Sequence, residues 1–330
     1  MLNTIRTRIR LPWVASALSL LAISAFSVQA QTYPSRALRL VVPFAAGGST
    51  DAIARLLAEK MTAGLGQPIV VENRPGAAGA IATEQVVKSA PDGYTILLAT
   101  TSTHALLPLA NPRVTFDPAT SLASIGMVAR APNVLVVSPN LLVRTVQDLI
   151  ALGRNQPKSL SFASSGNGAI THLVAESFNA TAGIQAVHVP YKTGVQALTD
   201  IASGQVQFQF DSIVWTLPQA RAGKVRALAV TGSRRSALAP ELPTVAEAGL
   251  PGFEGVTWFG LVAPAATPHD ILARLHSELQ RALQGRDIQE KFAAQGAEPA
   301  PGTPEEMSRQ MREDREKWAK VIQQAGVKFE

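Results

Sequence analysis

The 330-residue chain contains no cysteine. That excludes a disulfide framework and a thiolate metal site, so stability must come from buried apolar cores. It also excludes a lipidated N-terminal cysteine. Charged residues are sparse at 16% against 46% hydrophobic, a balance that argues against disorder. Basic clusters are lacking too. Arg234-Arg235 is the densest spot, and no aromatic-interleaved basic run exists, so nucleic acid is not an expected partner. Beyond the N-terminus, no stretch reaches membrane-spanning length without charge or proline.

The N-terminus has the layout of a removable segment. Arg6, Arg8 and Arg10 precede an apolar stretch from Trp13 to Phe26, and Val28-Gln29-Ala30 places small apolar residues where a signal peptidase reads. This predicts a secretory signal peptide over residues 1–30. An uncleaved anchor is the competing reading, but the stretch falls short of the about 20 residues a span requires. Removing three arginines lowers the formal charge from +6 to +3. The mature chain is expected in the periplasm.

From Leu38 onward, strands and helices alternate. Residues 38–43, 69–71 and 94–100 read as short buried strands, separated by helical spacing over 52–61 and 81–88. This βαβαβ order implies a parallel sheet. The theme repeats with strands over 134–137, 160–163, 187–189, 206–210, 225–230 and 256–262, and helices over 146–152, 171–180 and 195–202. Residues 233–252 look like a surface connection. Ile271, Leu272, Leu275, Leu279 and Leu283 form a stripe on a late helix, and residues 304–324 bury Met307, Met311, Trp318 and Val321 on one face. With about ten strands, two lobes of roughly 100–200 residues fit better than one sheet.

Two segments share one design. Phe44-Ala45-Ala46-Gly47-Gly48-Ser49-Thr50-Asp51 and Ser164-Ser165-Gly166-Asn167-Gly168-Ala169-Ile170-Thr171 each run from a strand through a glycine loop into a helix. Glycine permits close backbone approach. The first helical N–H groups have no partner in the helix, and the dipole adds positive charge, so an anion is the natural guest. Simple capping is the alternative for either loop, with Asp51 a candidate cap. Thr100-Thr101-Ser102-Thr103-His104 ends a strand, where ligands of open α/β sheets bind, or it is a plain polar loop. Asp211 follows an apolar strand and is a candidate acceptor for a ligand amine or hydroxyl.

Enzyme signatures are weak. Ser164 or Ser165 near His172 suggests a nucleophile and base, yet no G-x-S-x-G elbow occurs. Five scattered histidines show no H-E-x-x-H spacing. No cofactor, metal or catalytic residue is expected.

The chain resembles the Bug family, the solute receptors of tripartite tricarboxylate transporters, over residues 32–330. The resemblance rests on Tyr33-Pro34, Val42-Pro43-Phe44 with Gly47-Gly48-Ser49-Thr50-Asp51, and Val71-Glu72-Asn73-Arg74-Pro75-Gly76-Ala77. It continues through Pro91-Asp92-Gly93-Tyr94, Val189-Pro190-Tyr191-Lys192, Leu242-Pro243-Thr244-Val245 with Glu247-Ala248-Gly249, and Trp258. It implies an α/β, two-lobed type II periplasmic-binding-protein (Venus flytrap) fold with mixed β-sheets flanked by helices. Residues 31–131 and 255–330 would form one lobe and residues 132–254 the other. It further implies a monomer that captures a small carboxylate and presents it to membrane permease subunits. The carboxylate classes implied are di- or tricarboxylate, aromatic acid and acidic amino acid. The holding residues would be Phe44–Thr50 and Ser164–Gly168 with Thr171, through backbone N–H groups, hydroxyls and water. Thr101–His104, Tyr191 and Asp211 would face the ligand's far end. Ala45-Ala46 departs from relatives that carry proline there, which implies a less rigid loop. Two other readings stand beside this one: an exported hydrolase or transferase using Ser165 and His172, and a receptor that signals to a membrane kinase.

Overall fold

A computed structural model describes residues 33–111, 114–191 and 194–327. The signal-peptide reading of residues 1–30, and Lys192 of the family motif, lie outside the described residues. The chain divides at Ser35, and Arg36–Glu330 pack together as one unit.

Strand β1 (Leu38–Val42) exposes only Arg39 and is buried on both faces, as expected of a parallel strand under helices. It pairs in parallel with β2 (Ile69–Asn73) and with β3 (Thr95–Thr100). Helices α1 (Ser49–Leu65) and α2 (Ala80–Val87) make the crossovers. Beyond β3 the chain turns directly into a π-helical turn, Ser102–Leu106, continued as α3 (Leu107–Ala110). After α4 (Pro118–Ser121) comes the longest strand, β4 (Leu122–Val137).

β4 joins the two lobes. Its residues from Leu122 to Pro132 pair antiparallel with β9 (Val256–Pro264), with bulges between Ser124 and Gly126 and between Met127 and Ala129. From Asn133 to Val137 it pairs instead with β7 (Phe208–Ser212). It also pairs there with β8 (Arg226–Val230). Only residues 134–137 read as strand in the sequence. Upstream, Gly126, Arg130 and Pro132 break the apolar run. Pro132 has no N–H to give, and it sits where the strand changes partner, where a missing donor costs least.

The second lobe carries α5 (Val146–Asn155), β5 (Ser161–Ser164), α6 (Ile170–Ala182), β6 (Val187–Pro190) and α7 (Gly194–Ser203). β5 lies parallel between β6 and β7. Helix α8 (Ile213–Arg221) follows β7 without a loop. The chain returns with α9 (His269–Leu283), α10 (Arg286–Ala294), β10 (Glu298–Gly302) and α11 (Pro304–Ala325). The strand order is β2-β1-β3-β9-β4-β7-β5-β6, with β8 and β10 also on β4, so the sheets are mixed. β10, with two prolines in five residues, escaped the sequence reading because prolines suit only an edge or irregular strand.

Each lobe has its own core. Val41, Leu97, Trp258, Val262 and Met307 fill the first. Phe162, Phe178, Phe208, Phe210 and Phe253 dominate the second, and Trp318 and Val321 of α11 join it. The stripe predicted for α11 is buried as read. Phe178 is fully buried and touches Phe208, Phe210 and Phe253 with ring centroids 5.3–6.2 Å apart. Phe178→Ala is expected to cost about 3–5 kcal/mol of stability. Urea unfolding would measure it, and a loss below about 1 kcal/mol would contradict this packing.

Candidate functional site

The first loop is held in shape from behind. Helix α1 begins at Ser49 with Gly48 as its cap residue, and no side chain caps it. Gly47 sits at φ +87°, a left-handed conformation that favours glycine, with open space where a Cβ would stand. Asp51 is in the first turn and turns back. It accepts the Gly47 N–H at 2.9 Å, Arg55 Nε at 3.0 Å and Asn73 Nδ2 at 3.0 Å. Asn73 Nδ2 also donates to the Phe44 carbonyl at 3.1 Å. Burial pushes the Asp51 carboxyl up, but these donors outweigh it and hold it below the usual carboxylate value. Asp51 is therefore a brace for the loop and not its ligand-facing surface.

The second loop repeats the plan with different chemistry. Helix α6 begins at Ile170 with Ala169 as its cap residue, again with no side-chain cap. Neither helix start is thus capped by a side chain. Thr171 Oγ1 accepts the Ser165 N–H at 3.0 Å and bonds the Ser165 hydroxyl at 2.9 Å. Ser164 Oγ bonds the Gly166 carbonyl, the Gly166 N–H and His188 Nε2. His172 Nδ1 accepts the Gly168 N–H at 3.0 Å.

Both loops face one cleft of about 1080 Å³. Phe44, Ser49 and Thr50 line one side, and Ser165, Gly166, Asn167 and Gly168 the other. Thr100 and Ser102 also line it. Asp51, Ser164 and Thr171 are buried, and Ala46, Gly47 and Gly48 are exposed on the first loop without lining the cleft. Ile53, Leu106, Leu107 and Phe259 give the cleft apolar walls. Among the described residues no charged side chain lines it. Two helix N-termini open toward it, where N–H groups lack intrahelical partners and carry partial positive charge.

Several residues expected at the ligand's far end turn elsewhere. Thr100 ends β3 and the chain passes at once into the π-helical turn, which leaves Thr100 and Ser102 on the cleft and buries Thr101, Thr103 and His104. Thr101 is fully buried and accepts the Trp258 N–H at 3.0 Å. Thr103 is fully buried and bonds His104 Nδ1 at 2.9 Å. His104 packs edge-on to Trp258, and burial lowers its pKa to about 3, so it is a neutral core residue. The Tyr191 hydroxyl donates to Asp200 at 2.6 Å, and burial with that bond pushes the phenol up to about 12. Asp211 turns toward α7, where a Cβ on Gly194 would stand 1.5 Å from its Oδ2. Burial raises its carboxyl to about 6. Its neighbour Ser212 is the residue that reaches the cleft.

Sequence reasoning missed Asn111, Asn133, Ser212, Thr257 and Gln295 as polar lining residues. It also missed Ala77 and Ala78, which line the cleft at φ 47° and 54°. The Asn73–Gly76 turn signal pointed to that bend but not to the ligand. Asn133 follows the partner change in β4 and carries no local motif.

The nucleophile–base pair is not assembled. The Ser165 hydroxyl meets Thr171, and His172 Nδ1 is occupied by the Gly168 N–H. Ser164 does touch His188, at 2.7 Å, but it is buried. Among the described residues no group of three or more His, Asp or Glu side chains is placed to hold a metal.

A family profile described as Tripartite tricarboxylate transporter family receptor matches residues 53–327. Protein BugT of Bordetella pertussis is 38% identical over 303 residues, covering 92% of this chain and 93% of BugT. A solved structure described as R. palustris Rpa4515 with adipate is 38% identical. Its TM-score is 0.77, and the match covers 90% of this chain and 100% of that one. Another, MatC from Rhodopseudomonas palustris with bound malate, is 31% identical with a TM-score of 0.73, covering 88% and 100%.

Asp51→Ala would strand the Gly47 N–H and the Asn73 amide. It is expected to destabilise the fold by about 1–3 kcal/mol, as read by urea unfolding near neutral pH. Because folding lowers the Asp51 pKa, its contribution is present above the ordinary carboxylate range and is lost as the pH falls through the lowered value. Equal stability of variant and parent at neutral pH would contradict the bracing role.

Proposed function

The chain belongs to the tripartite tricarboxylate transporter receptor family, and from that premise we propose that it is a periplasmic solute-binding protein. It captures a small carboxylate in the cleft and presents it to a membrane permease of that transporter class. One observation carries the reading: the uncapped starts of α1 and α6 line the same cleft. Hydrogen bonds to a charged group contribute about 1.5–3 kcal/mol each, so a few converging N–H groups suffice without an arginine. Adipate and malate in relatives of 38% and 31% identity support a carboxylate ligand. Ile53, Leu106, Leu107 and Phe259 would cover the ligand's carbon skeleton, while Asn111, Asn133 and Gln295 would read its other polar groups.

Capture is by closure. The hinge lies near residues 131–132 and 254–255, and the change of partner along β4 at Pro132 and Asn133 supports that placement. Ligand favours the closed state only through contacts that the open state lacks. The two loops supply those contacts because each belongs to a different lobe.

A thermal-shift and calorimetry panel of adipate, malate, benzoate and aspartate tests the reading. A bound acid at 100 times its Kd adds about 2.7 kcal/mol of stability. No shift with any of these acids would count against it. Ser49→Pro is the sharper test. Ser49 is the first helical residue, where proline is tolerated, and Gly48 at φ −82° and ψ 170° suits a following proline. The substitution removes one N–H and is expected to weaken binding about 10- to 100-fold. Ser49→Ala, which keeps the N–H, should lose much less. Equal affinity of Ser49→Pro and the parent would contradict backbone capture.

A further inference from the structure

His172 on α6 and His188 on β6 stack face to face, with ring centroids 3.6 Å apart and planes 11° apart. Both rings hold the second ligand loop. The bonding fixes their tautomers. The Gly168 N–H points at His172 Nδ1, so that nitrogen carries no proton and Nε2 carries it. Ser164 has one hydroxyl proton, given to the Gly166 carbonyl at 3.0 Å. Ser164 Oγ therefore accepts from His188 Nε2 at 2.7 Å and from the Gly166 N–H at 3.2 Å. The loop's shape thus depends on two neutral imidazoles in set tautomers.

We propose that His172, stacked on His188, is a positioning residue that holds loop 164–168 open to the carboxylate only while its Nδ1 carries no proton, so that acidification releases the ligand. The proposal rests on the carboxylate reading of the cleft. A second proton on His172 must enter at Nδ1, opposite the Gly168 N–H, and two donors then face each other. That bond is lost and the loop loses its anchor. Two positive rings at stacking distance would repel as well.

The surroundings favour this site of protonation. Glu176, one turn along α6, places Oε1 3.6 Å from His172 Nε2 and is the charged group beside the stack. β5 presents Phe162, stacked on His188 with centroids 5.0 Å apart. β7 presents Phe208 and Phe210, and α11 presents Trp318 and Val321 to the same core. Burial first, and then the neighbouring His172, depresses His188 to about 4. An unfolded histidine takes its proton near about 6.5. The stability from neutral His188 is therefore full above that value and is lost as the pH falls toward about 4.

The test pairs a ligand-free readout with a binding one. In NMR spectra of the unliganded protein, the Gly168 amide is expected to shift together with the His172 imidazole signals on acidification. Adipate affinity should fall about tenfold or more over the same acidification. His172→Asn retains an acceptor near Nδ1 that takes no proton. Its Gly168 amide should stay still on acidification, and its adipate affinity should fall no further than the acid's own protonation accounts for. The parent-to-variant affinity ratio cancels the acid's own protonation. His172→Leu, which has no acceptor, should bind weakly at every pH. A Gly168 amide indifferent to the imidazole, or an unchanged affinity ratio across the range, overturns the proposal. Coupled titration without adipate binding would instead leave the switch standing and overturn the carboxylate reading.

Discussion

Two helices, α1 and α6, begin at one cleft without side-chain caps. An α-helix leaves its first N–H groups without intrahelical partners, and a buried start with no acceptor is unfavourable. The rest of the molecule serves that constraint. Strands β1 and β5 aim the two loops, glycines bring the backbone forward, and residues behind each loop stop it from collapsing onto its own side chains. On the proposed reading, one anion would satisfy both helix ends at once, with the helix dipoles acting together on it. A lining without charged side chains among the described residues is consistent with this. A fixed arginine would bind tightly in the open state, whereas donors split between two lobes reward closure.

The two loops reach the same end by different means. In the first, a buried carboxylate, Asp51, gathers the Gly47 amide, Arg55 and Asn73. In the second, two hydroxyls and one imidazole take the corresponding amides, at Ser164, Thr171 and His172. Asp51 stays ionised throughout the usual range, since its donors keep its pKa low. The second brace is set by hydroxyls and by the tautomers of two stacked histidines, and burial keeps His188 neutral down to about 4.

Much of the fold was legible because its signals are local. Around residues 44–51 and 164–171, a short apolar strand, a glycine turn and helical spacing follow one another in contiguous sequence. The stripe of Met307, Met311, Trp318 and Val321 repeats at helical spacing and is buried as read. Strand β4 was only partly legible. Its upstream half is a strand because β9 and β10 flank it, not because of its own composition. The same limit applies to the site. Loop residues 44, 49, 50 and 165–168 could be read from motif alone. Asn133 and Gln295 reach the cleft through tertiary placement. His104 lies in the π-helical turn after β3, which carries it into the core, whereas Asp211 stays within β7 and turns toward α7; neither placement is visible from a polar residue at a strand end.

The central claim is that backbone amides at two helix starts hold one carboxylate. A crystal structure of the protein with adipate measures this directly. The account predicts carboxylate oxygens about 2.7–2.9 Å from N–H groups at Ser49–Thr50 and at Ile170–Thr171, directly or through one bridging water. A carboxylate seated instead against Asn111 or Gln295, with both helix starts solvated, would contradict it.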